Sequence, residues 1–201
     1  LGGAEAGTIA YSLAMTEIAR GCASTAVTMA VTNMVGEVIT EFGSHEQRER
    51  HVTKLTSGEY TAGAFALSEP GAGSDPASMT TQAVRTDDGW ILNGQKQFIT
   101  NASWADVSVV FTMIGGKYSA LIVDLHSEGV SRGAEEKKMG IRGSSTCGLS
   151  AVPSGAIRRM SPSWVPVQIQ PSGPRKGPWR LAELRMFQPS SSTSRLSATP
   201  S

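Results

Sequence analysis

The first sixty residues carry apolar side chains at the spacing of α-helices. Residues 8–20 are rich in Ala, Leu, Met and Glu, which favour helix. Residues 24–42 are apolar on almost every side, a pattern typical of a helix that is buried between neighbours. Ser44 followed by Gln47 has the sequence of a capping box, so an amphipathic third helix is predicted over 46–55. Three consecutive helices predict a helical bundle.

The apolar period changes to that of β-strands after about residue 62. Short apolar or alternating runs predict strands at 64–67, 82–85, 90–92, 107–114 and 118–123. Asp88-Gly89, Asn93-Gly94 and Gly115-Gly116-Lys117 are turn sequences that suit tight hairpins. Successive hairpins predict an antiparallel sheet or barrel. The expected fold class is therefore α+β with several domains, part of a helical bundle followed by an antiparallel β-barrel domain.

The chain after about Gly148 follows neither period. Eight of the ten prolines fall here, and Glu183 is its only acidic residue. Proline removes backbone donors, and the sparse apolar content cannot offset chain entropy. We therefore predict a disordered tail rich in Pro, Ser and Arg over 150–201. It follows a partial N-terminal helical domain over 1–61 and a β-barrel domain over 62–149.

Composition and charge narrow the function classes only a little. A net charge of +1 over 201 residues gives no electrostatic footprint for nucleic acid. The longest apolar run is far shorter than the roughly 20 residues that cross a bilayer, so no membrane span is expected. His45 and His51 are too far apart in sequence to share a helix face as metal ligands do, so they are predicted to lie on a solvated face and no metal site is expected.

Two further features bear on the compartment. Cys22 and Cys147 are distant in sequence, which favours free thiols in a reducing environment over a disulfide framework. The chain begins at Leu1 without a signal-peptide pattern, which indicates an intracellular piece of a longer protein.

The stretch AFALSEPGAGSD at 64–75 joins an extended run to a glycine-rich bend. Its extended part offers backbone amides and carbonyls that can pair with the rim of a planar heterocycle. Pro70 turns the chain, and Gly71 and Gly73 lack side chains, so their amides can approach a phosphate closely. Ser74 adds a hydroxyl. A glycine motif this short also occurs in ordinary surface loops, so the wider context has to decide.

Three ordered motifs resemble the acyl-CoA dehydrogenase family. SerGluProGlyAlaGlySerAsp at 68–75 is similar to its flavin loop, and AsnGlyGlnLysGlnPheIleThrAsn at 93–101 matches its NGxKxxIT(N/S) run. LysMetGlyIleArgGlySerSerThr at 138–146 resembles the end of the family's β-domain. AlaMetThrGluIleAlaArg at 14–20 and GlySerHisGluGlnArg at 43–48 also fit. The resemblance covers about residues 1–149.

This resemblance implies FAD as the cofactor. Residues 65–68 correspond to the segment along the flavin's pyrimidine edge, and residues 71–74 to the segment that passes the pyrophosphate. Phe98, where many members carry Trp, is implied to cover one flavin face. Thr100 is implied to direct its hydroxyl and amide at the flavin N5 and O4 rim, where fixed donors stabilise the reduced ring. The implied cofactor-binding residues are Phe65, Ala66, Leu67, Ser68, Glu69, Pro70, Gly71, Ala72, Gly73, Ser74, Phe98, Ile99 and Thr100.

The resemblance also implies a reaction of fatty acid β-oxidation. In the family, an acyl-CoA thioester is dehydrogenated to its trans-2-enoyl-CoA, a Glu removes the α-proton, and a hydride passes to flavin N5. Ser74 is implied to contact the CoA portion of the substrate. The implied electron acceptor is an electron-transfer flavoprotein, the implied assembly a homotetramer, and the implied compartment the bacterial cytoplasm or the mitochondrial matrix.

The family pattern breaks after Leu149. Members continue with a strand of the type LxFxxVxVP and then a C-terminal helical domain that supplies the catalytic Glu and the tetramer interface. No position here matches that Glu's motif, so no catalytic residue is assigned, and the tetramer is not expected for this chain. A reading-frame change near 148–152 would explain the composition of the tail. The expected product is a truncated, inactive chain, and the alternative is a catalytically inert fragment that still binds flavin.

Overall fold

The computed structural model describes residues 1–87 and 89–151. The predicted tail lies outside the described residues except for Ser150 and Ala151, and the reading-frame hypothesis concerns the same region. The helical segments are α1 (Gly7–Gly21), α2 (Ala23–Phe42), α3 (His45–Gln47), a π-helical stretch (Arg48–Val52) and α4 (Thr53–Ser57). In this part of the chain no helix is both long enough and apolar enough to cross a membrane.

The predicted capping box begins the third helical segment. The Gln47 amide donates to Ser44 Oγ at 3.2 Å, and the Ser44 amide donates to Gln47 Oε1 at 2.8 Å. Two amides that have no partner within the helix are thereby satisfied. The segment ends at Ser57, and Gly58 follows in the left-handed region with φ 79°.

Among residues 1–87 and 89–151, seven strands follow the helices and form one curled sheet. They are β1 (Gly63–Ala66), β2 (Gln82–Thr86), β3 (Gly89–Thr100), β4 (Val107–Ile114), β5 (Lys117–Asp124), β6 (Val130–Arg132) and β7 (Thr146–Ala151). The order is β1-β4-β2-β3-β7-β6, and β5 pairs with β4. The α+β prediction is confirmed, and the sheet is mixed: β1 runs parallel to β4, whereas β3, β5 and β6 pair antiparallel with their neighbours.

Two of the three predicted hairpins form. β2 and β3 pair through Thr86 and Gly89, and β4 and β5 pair through Ile114 and Lys117 around Gly115-Gly116, both at positive φ. The turn predicted at Asn93-Gly94 is wrong, because both residues lie inside β3. Gly94 is needed for a different reason: a Cβ at this position would come within 2.3 Å of Thr81 Oγ1. The glycine permits a close approach of two chain segments, as in other strands that carry an interior Gly.

The sheet has an apolar cluster on each face. On the helical side, β4 and β5 contribute alternate side chains that pack against α2 and the π-helical stretch, namely Val107, Val109, Phe111, Ala120 and Ile122 against Val35, Val38, Ile39 and Val52. The intervening side chains, such as Val110, Leu121 and Val123, pack inside the curl with residues of β1, β3 and β7. A strand that is buried on both faces has no polar alternation, which explains the continuous apolar run of β4.

The helical region differs from the predicted bundle in how its faces are covered. α2 buries one face against the sheet, and its opposite side remains open, with Met29 43% exposed. α1 packs on α2 but has no buried residue, and Ile9 is 79% exposed. The expectation that His51 lies on a solvated face is wrong, since it is buried and its Nδ1 lies 3.2 Å from Tyr60 Oη. Burial, followed by the nearby charge of Arg50, lowers the pKa of His51 to about 4.

Candidate functional site

The glycine-rich stretch leaves the end of β1 as a tight turn. The amides and carbonyls of Glu69 and Ala72 exchange hydrogen bonds of 3.3 and 3.1 Å, so Pro70 and Gly71 occupy the centre of the turn. Asp75 then caps a short 3₁₀ helix, Pro76–Ser78, by accepting a hydrogen bond from the Ala77 amide at 3.2 Å. Proline at the second position of a turn and Asp before a helical turn are the residues that these geometries favour.

A buried ion pair holds this loop against β3. Lys96 Nζ donates to Glu69 Oε1 at 2.8 Å, and each side chain is only 3% exposed. Glu69 also accepts hydrogen bonds from the amides of Thr80 and Thr81, at 2.6 and 3.1 Å. Lys96 Nζ donates in addition to the Leu67 carbonyl at 3.0 Å. The pair therefore joins both ends of the loop to the strand beside it.

The Glu69 carboxyl of this pair is ionised at neutral pH. Burial alone would raise the pKa of Glu69, but hydrogen bonds from Lys96, Thr81 and Thr80 favour the carboxylate more strongly and bring its pKa to about 2. Burial lowers the pKa of Lys96, and the hydrogen bond and charge of Glu69 oppose that change. The ionised carboxylate 2.8 Å away favours the protonated lysine at neutral pH.

β3 meets the same segment at a β-bulge. The Gln97 amide donates to the Ser68 carbonyl at 2.9 Å, directly beside the contact of Lys96 with Leu67. The pairing of β3 with β7 shifts register between Lys96 and Ile99. Phe98 lies in this bulge with φ 58°, and its side chain is 60% exposed. A positive φ is unfavourable for an aromatic residue, and an exposed ring gains little from burial, so the fold itself does not account for Phe98.

β3 ends in a junction with the helical region. Asn101 is fully buried with φ 67°, and its amide Nδ2 donates to the Thr28 carbonyl at 3.0 Å, to Thr32 Oγ1 at 3.3 Å and to the Gly63 carbonyl at 3.1 Å. One side chain thus connects α2, β1 and the end of β3. Thr100, the preceding residue, is half-buried. The hydrogen bonds of Asn101 to α2 therefore fix the position of Thr100 relative to that helix.

Several residues of the implied site use their side chains for packing. Phe65 packs on Phe111 with ring centroids 4.9 Å apart, Ala66 lies in the core inside the curl, and Ile99 and Ala72 are buried. These residues can contribute only backbone atoms to a ligand. The structure thus brings the 67–69 and 96–98 segments into direct hydrogen-bond contact, but it buries most of the apolar side chains of the implied site.

The glycines of the loop lie in open space. A Cβ added at Gly71 or Gly73 would meet no atom within 4 Å, and neither residue has a positive φ. Ser74 next to them is exposed. Neither crowding nor backbone conformation within the described residues accounts for these two glycines. The absence of side chains leaves the backbone here open to approach by an external group.

The sequence-based prediction assigned no role to Lys96 or Asn101, although both lie within the second motif. A usable signal was present for Lys96: Leu92, Gly94 and Lys96 occupy alternate positions of one strand and therefore face the same side of the sheet. An inward-facing lysine requires an acid, and Glu69 is in the loop opposite. For Asn101, no local pattern indicates that its side-chain amide donates to three acceptors on two distant elements, α2 and β1.

Family profiles match both parts of the described chain. The profile described as "Acyl-CoA dehydrogenase, N-terminal domain" matches residues 1–59, and "Acyl-CoA dehydrogenase, middle domain" matches residues 64–151. The chain belongs to the acyl-CoA dehydrogenase family. The human mitochondrial short-chain specific acyl-CoA dehydrogenase is 47% identical to this chain over 156 residues. The match covers 74% of this chain and 37% of the human protein. The chain thus spans well under half the length of that relative.

Solved acyl-CoA dehydrogenases share this fold. Butyryl-CoA dehydrogenase from Megasphaera elsdenii superimposes with a TM-score of 0.67 at 37% identity, covering 70% of this chain and 38% of that one. A glutaryl-CoA dehydrogenase from Mycobacterium smegmatis, solved in complex with FADH2, superimposes with a TM-score of 0.70 at 30% identity, covering 78% of this chain and 40% of that one. The described helices and curled sheet are therefore the common part of the family fold.

Proposed function

We propose that this chain binds FAD between the turn that follows β1 and the bulge of β3. The Leu67–Ser68 backbone lies along the pyrimidine edge, residues 71–74 pass the pyrophosphate with the amides of Gly71, Gly73 and Ser74 as donors, and Thr100 faces the N5 and O4 rim. Phe98 covers one face of the ring. The flavin, when bound, supplies a hydride acceptor, and the chain's own residues orient it and exclude water from one side.

The observation that carries this proposal is the exposed Phe98 beside the Ser68 carbonyl. Phe98 has an unfavourable φ of 58° and a ring that is 60% exposed, one residue after the Gln97–Ser68 hydrogen bond. Backbone strain of this kind persists at ligand sites, where a ligand contact makes use of it. The open space around Gly71 and Gly73 fits the same cofactor. An exposed aromatic ring and exposed glycines that leave the backbone open suit a flavin dinucleotide.

Replacement of Phe98 by Ala tests this site. We expect the affinity of the 201-residue chain for FAD to fall roughly tenfold, because an aromatic stacking contact contributes about 1–3 kcal/mol. Quenching of flavin fluorescence measures the affinity, and thermal melts without FAD measure stability, which should change little for an exposed ring. Val84→Ala is the matched control, since Val84 is also 60% exposed and lies on β2 away from the bulge. Equal losses in both variants, or no binding by the parent chain, would contradict the proposal.

We further propose that the parent reaction is α,β-dehydrogenation of an acyl-CoA, and that this chain alone does not turn over. The relatives named above act on short acyl-CoA or glutaryl-CoA thioesters by their names. No residue of the chain matches the motif that carries the family's Glu base, and without a base the α-proton is not removed. A dye-linked assay with acyl-CoAs of several lengths should therefore give no turnover even with FAD bound. Measurable turnover would show that another residue serves as the base.

The proposed acyl-CoA dehydrogenation also implies a substrate contact, an electron acceptor and a compartment. Ser74 is exposed beside the open glycines, and its hydroxyl is suited to the CoA portion of the substrate. An electron-transfer flavoprotein is the proposed electron acceptor of the complete enzyme. The relatives include a human mitochondrial protein and proteins of Bacillus subtilis, so the proposed compartment is the mitochondrial matrix or the bacterial cytoplasm.

A further inference from the structure

Two consecutive residues of β3 donate to two successive peptide units of the proposed flavin edge. Lys96 Nζ donates to the Leu67 carbonyl at 3.0 Å, and the Gln97 amide donates to the Ser68 carbonyl at 2.9 Å. Phe98 then projects from the bulge. The Leu67 carbonyl and the Ser68 amide belong to the same peptide group, which is trans because the described residues contain no cis peptide. In a trans peptide the C=O and N–H bonds point in opposite directions, so the Ser68 N–H points away from Lys96.

The charge on Lys96 acts on this peptide at close range. A hydrogen bond from an ammonium group is about twice as strong as one between neutral groups. Lys96 is 3% exposed, so solvent screens the contact very little. Withdrawing electron density from a carbonyl makes the amide of the same peptide a better donor, a cooperative effect of about 10–30% per bond.

We propose that Lys96 is a positioning residue, which fixes and polarises the Leu67–Ser68 peptide so that the Ser68 N–H donates more strongly to the pyrimidine edge of the flavin. This inference rests on the proposed function. Glu69 has the accompanying role of keeping Lys96 charged and in place, because it is the charged side chain that contacts Lys96 among the described residues. The ion pair thereby acts on the cofactor through one peptide without touching it.

Two variants of the 201-residue chain separate this role from a role in stability alone. Glu69→Gln removes the carboxylate and, at a pH below the titration of Lys96 in this variant, keeps the ammonium beside the Leu67 carbonyl. Adding Lys96→Met gives Glu69→Gln/Lys96→Met, which removes the ammonium and keeps a side chain of similar length. FAD affinity is measured by fluorescence quenching, the midpoint potential of bound FAD by dye equilibration, and the fold of the cofactor-free protein by thermal melts.

We expect Glu69→Gln/Lys96→Met to bind FAD roughly tenfold more weakly than Glu69→Gln, which corresponds to about 1.4 kcal/mol. Its midpoint potential should be the lower of the two, because a weaker donor stabilises the electron-rich reduced ring less. Equal affinities and potentials in two folded variants would overturn the inference. Failure of the parent chain to bind FAD would instead overturn the proposed function.

A pH titration of Glu69→Gln supplies the test if the double variant does not fold. Lys96 then lacks its acid, and burial favours its neutral form. FAD affinity that falls as Lys96 loses its proton, followed by NMR of the lysine side chain, supports the inference. Affinity that stays constant through that titration overturns it, since a packing role does not depend on the charge.

Discussion

Replacement of Lys96 by Met lowers the free energy of unfolding by about 3–5 kcal/mol, because it leaves the Glu69 carboxylate buried without a counter-ion. Urea denaturation at pH 7, followed by circular dichroism, measures this loss. Glu69→Gln/Lys96→Met should recover part of it, since a neutral amide is much less costly to bury than an unpaired charge. If the single and double variants are equally unstable, packing of the lysine stem rather than its charge is what the site requires.

The same pair predicts an acid response. The pKa of Glu69 is about 2 in the folded protein, well below the ordinary value of 4.5 that applies to the unfolded chain. The folded state therefore binds fewer protons than the unfolded state between these values, and stability falls as the pH is lowered through this window. Above pH 4.5 the contribution of the carboxylate is fully present. The Glu69→Gln variant should lose this part of the acid dependence.

Replacement of Asn101 by Ala is the second substitution with a large expected effect. It removes the donors to the Thr28 and Gly63 carbonyls and to Thr32 Oγ1, and it puts Ala at φ 67°. Loss of these buried hydrogen bonds and a left-handed Ala together cost about 3–4 kcal/mol. Urea denaturation again gives the value.

Asn101→Gly separates the two contributions to that cost. Glycine adopts the left-handed conformation freely but offers no side-chain donor. We expect this variant to be more stable than Asn101→Ala by about 1 kcal/mol and still well below the parent chain. Two variants with parent-like stability would show that α2 does not depend on this side chain for its contact with the sheet.

Local chemistry was enough to predict most elements of this fold. The Ser44–Gln47 capping box and the Gly115-Gly116 turn each depend on a few adjacent residues, and each forms as predicted. Asn93-Gly94 has an equally good local signal, yet it lies in a strand because Thr81 packs against Gly94. A contact across the sheet overrides a local turn preference, and such a contact is not visible in the flanking residues.

The candidate site also has one part that local sequence predicts and another part that depends on distant contacts. The two motifs were recognisable by resemblance, and the Gln97–Ser68 hydrogen bond brings them together. The residues that hold them, Lys96 with Glu69 and Asn101 with α2, depend on partners 27 or more positions away. Pairing across such distances is set by the topology of the sheet. A single sequence carries no direct signal of that topology beyond the alternation in β3.

The parallel pairing of β1 with β4 has a consequence for biosynthesis. Ala64 and Ser108 are 44 positions apart, and the turn, β2 and β3 all lie between them. A nascent chain that has emerged only as far as β3 has β1 without its partner strand, and its apolar residues remain open to other chains. The pairing of β1 with β4 joins residues that are far apart in sequence, so it is slow to form. β1 therefore gains its partner strand only after β4 has left the ribosome.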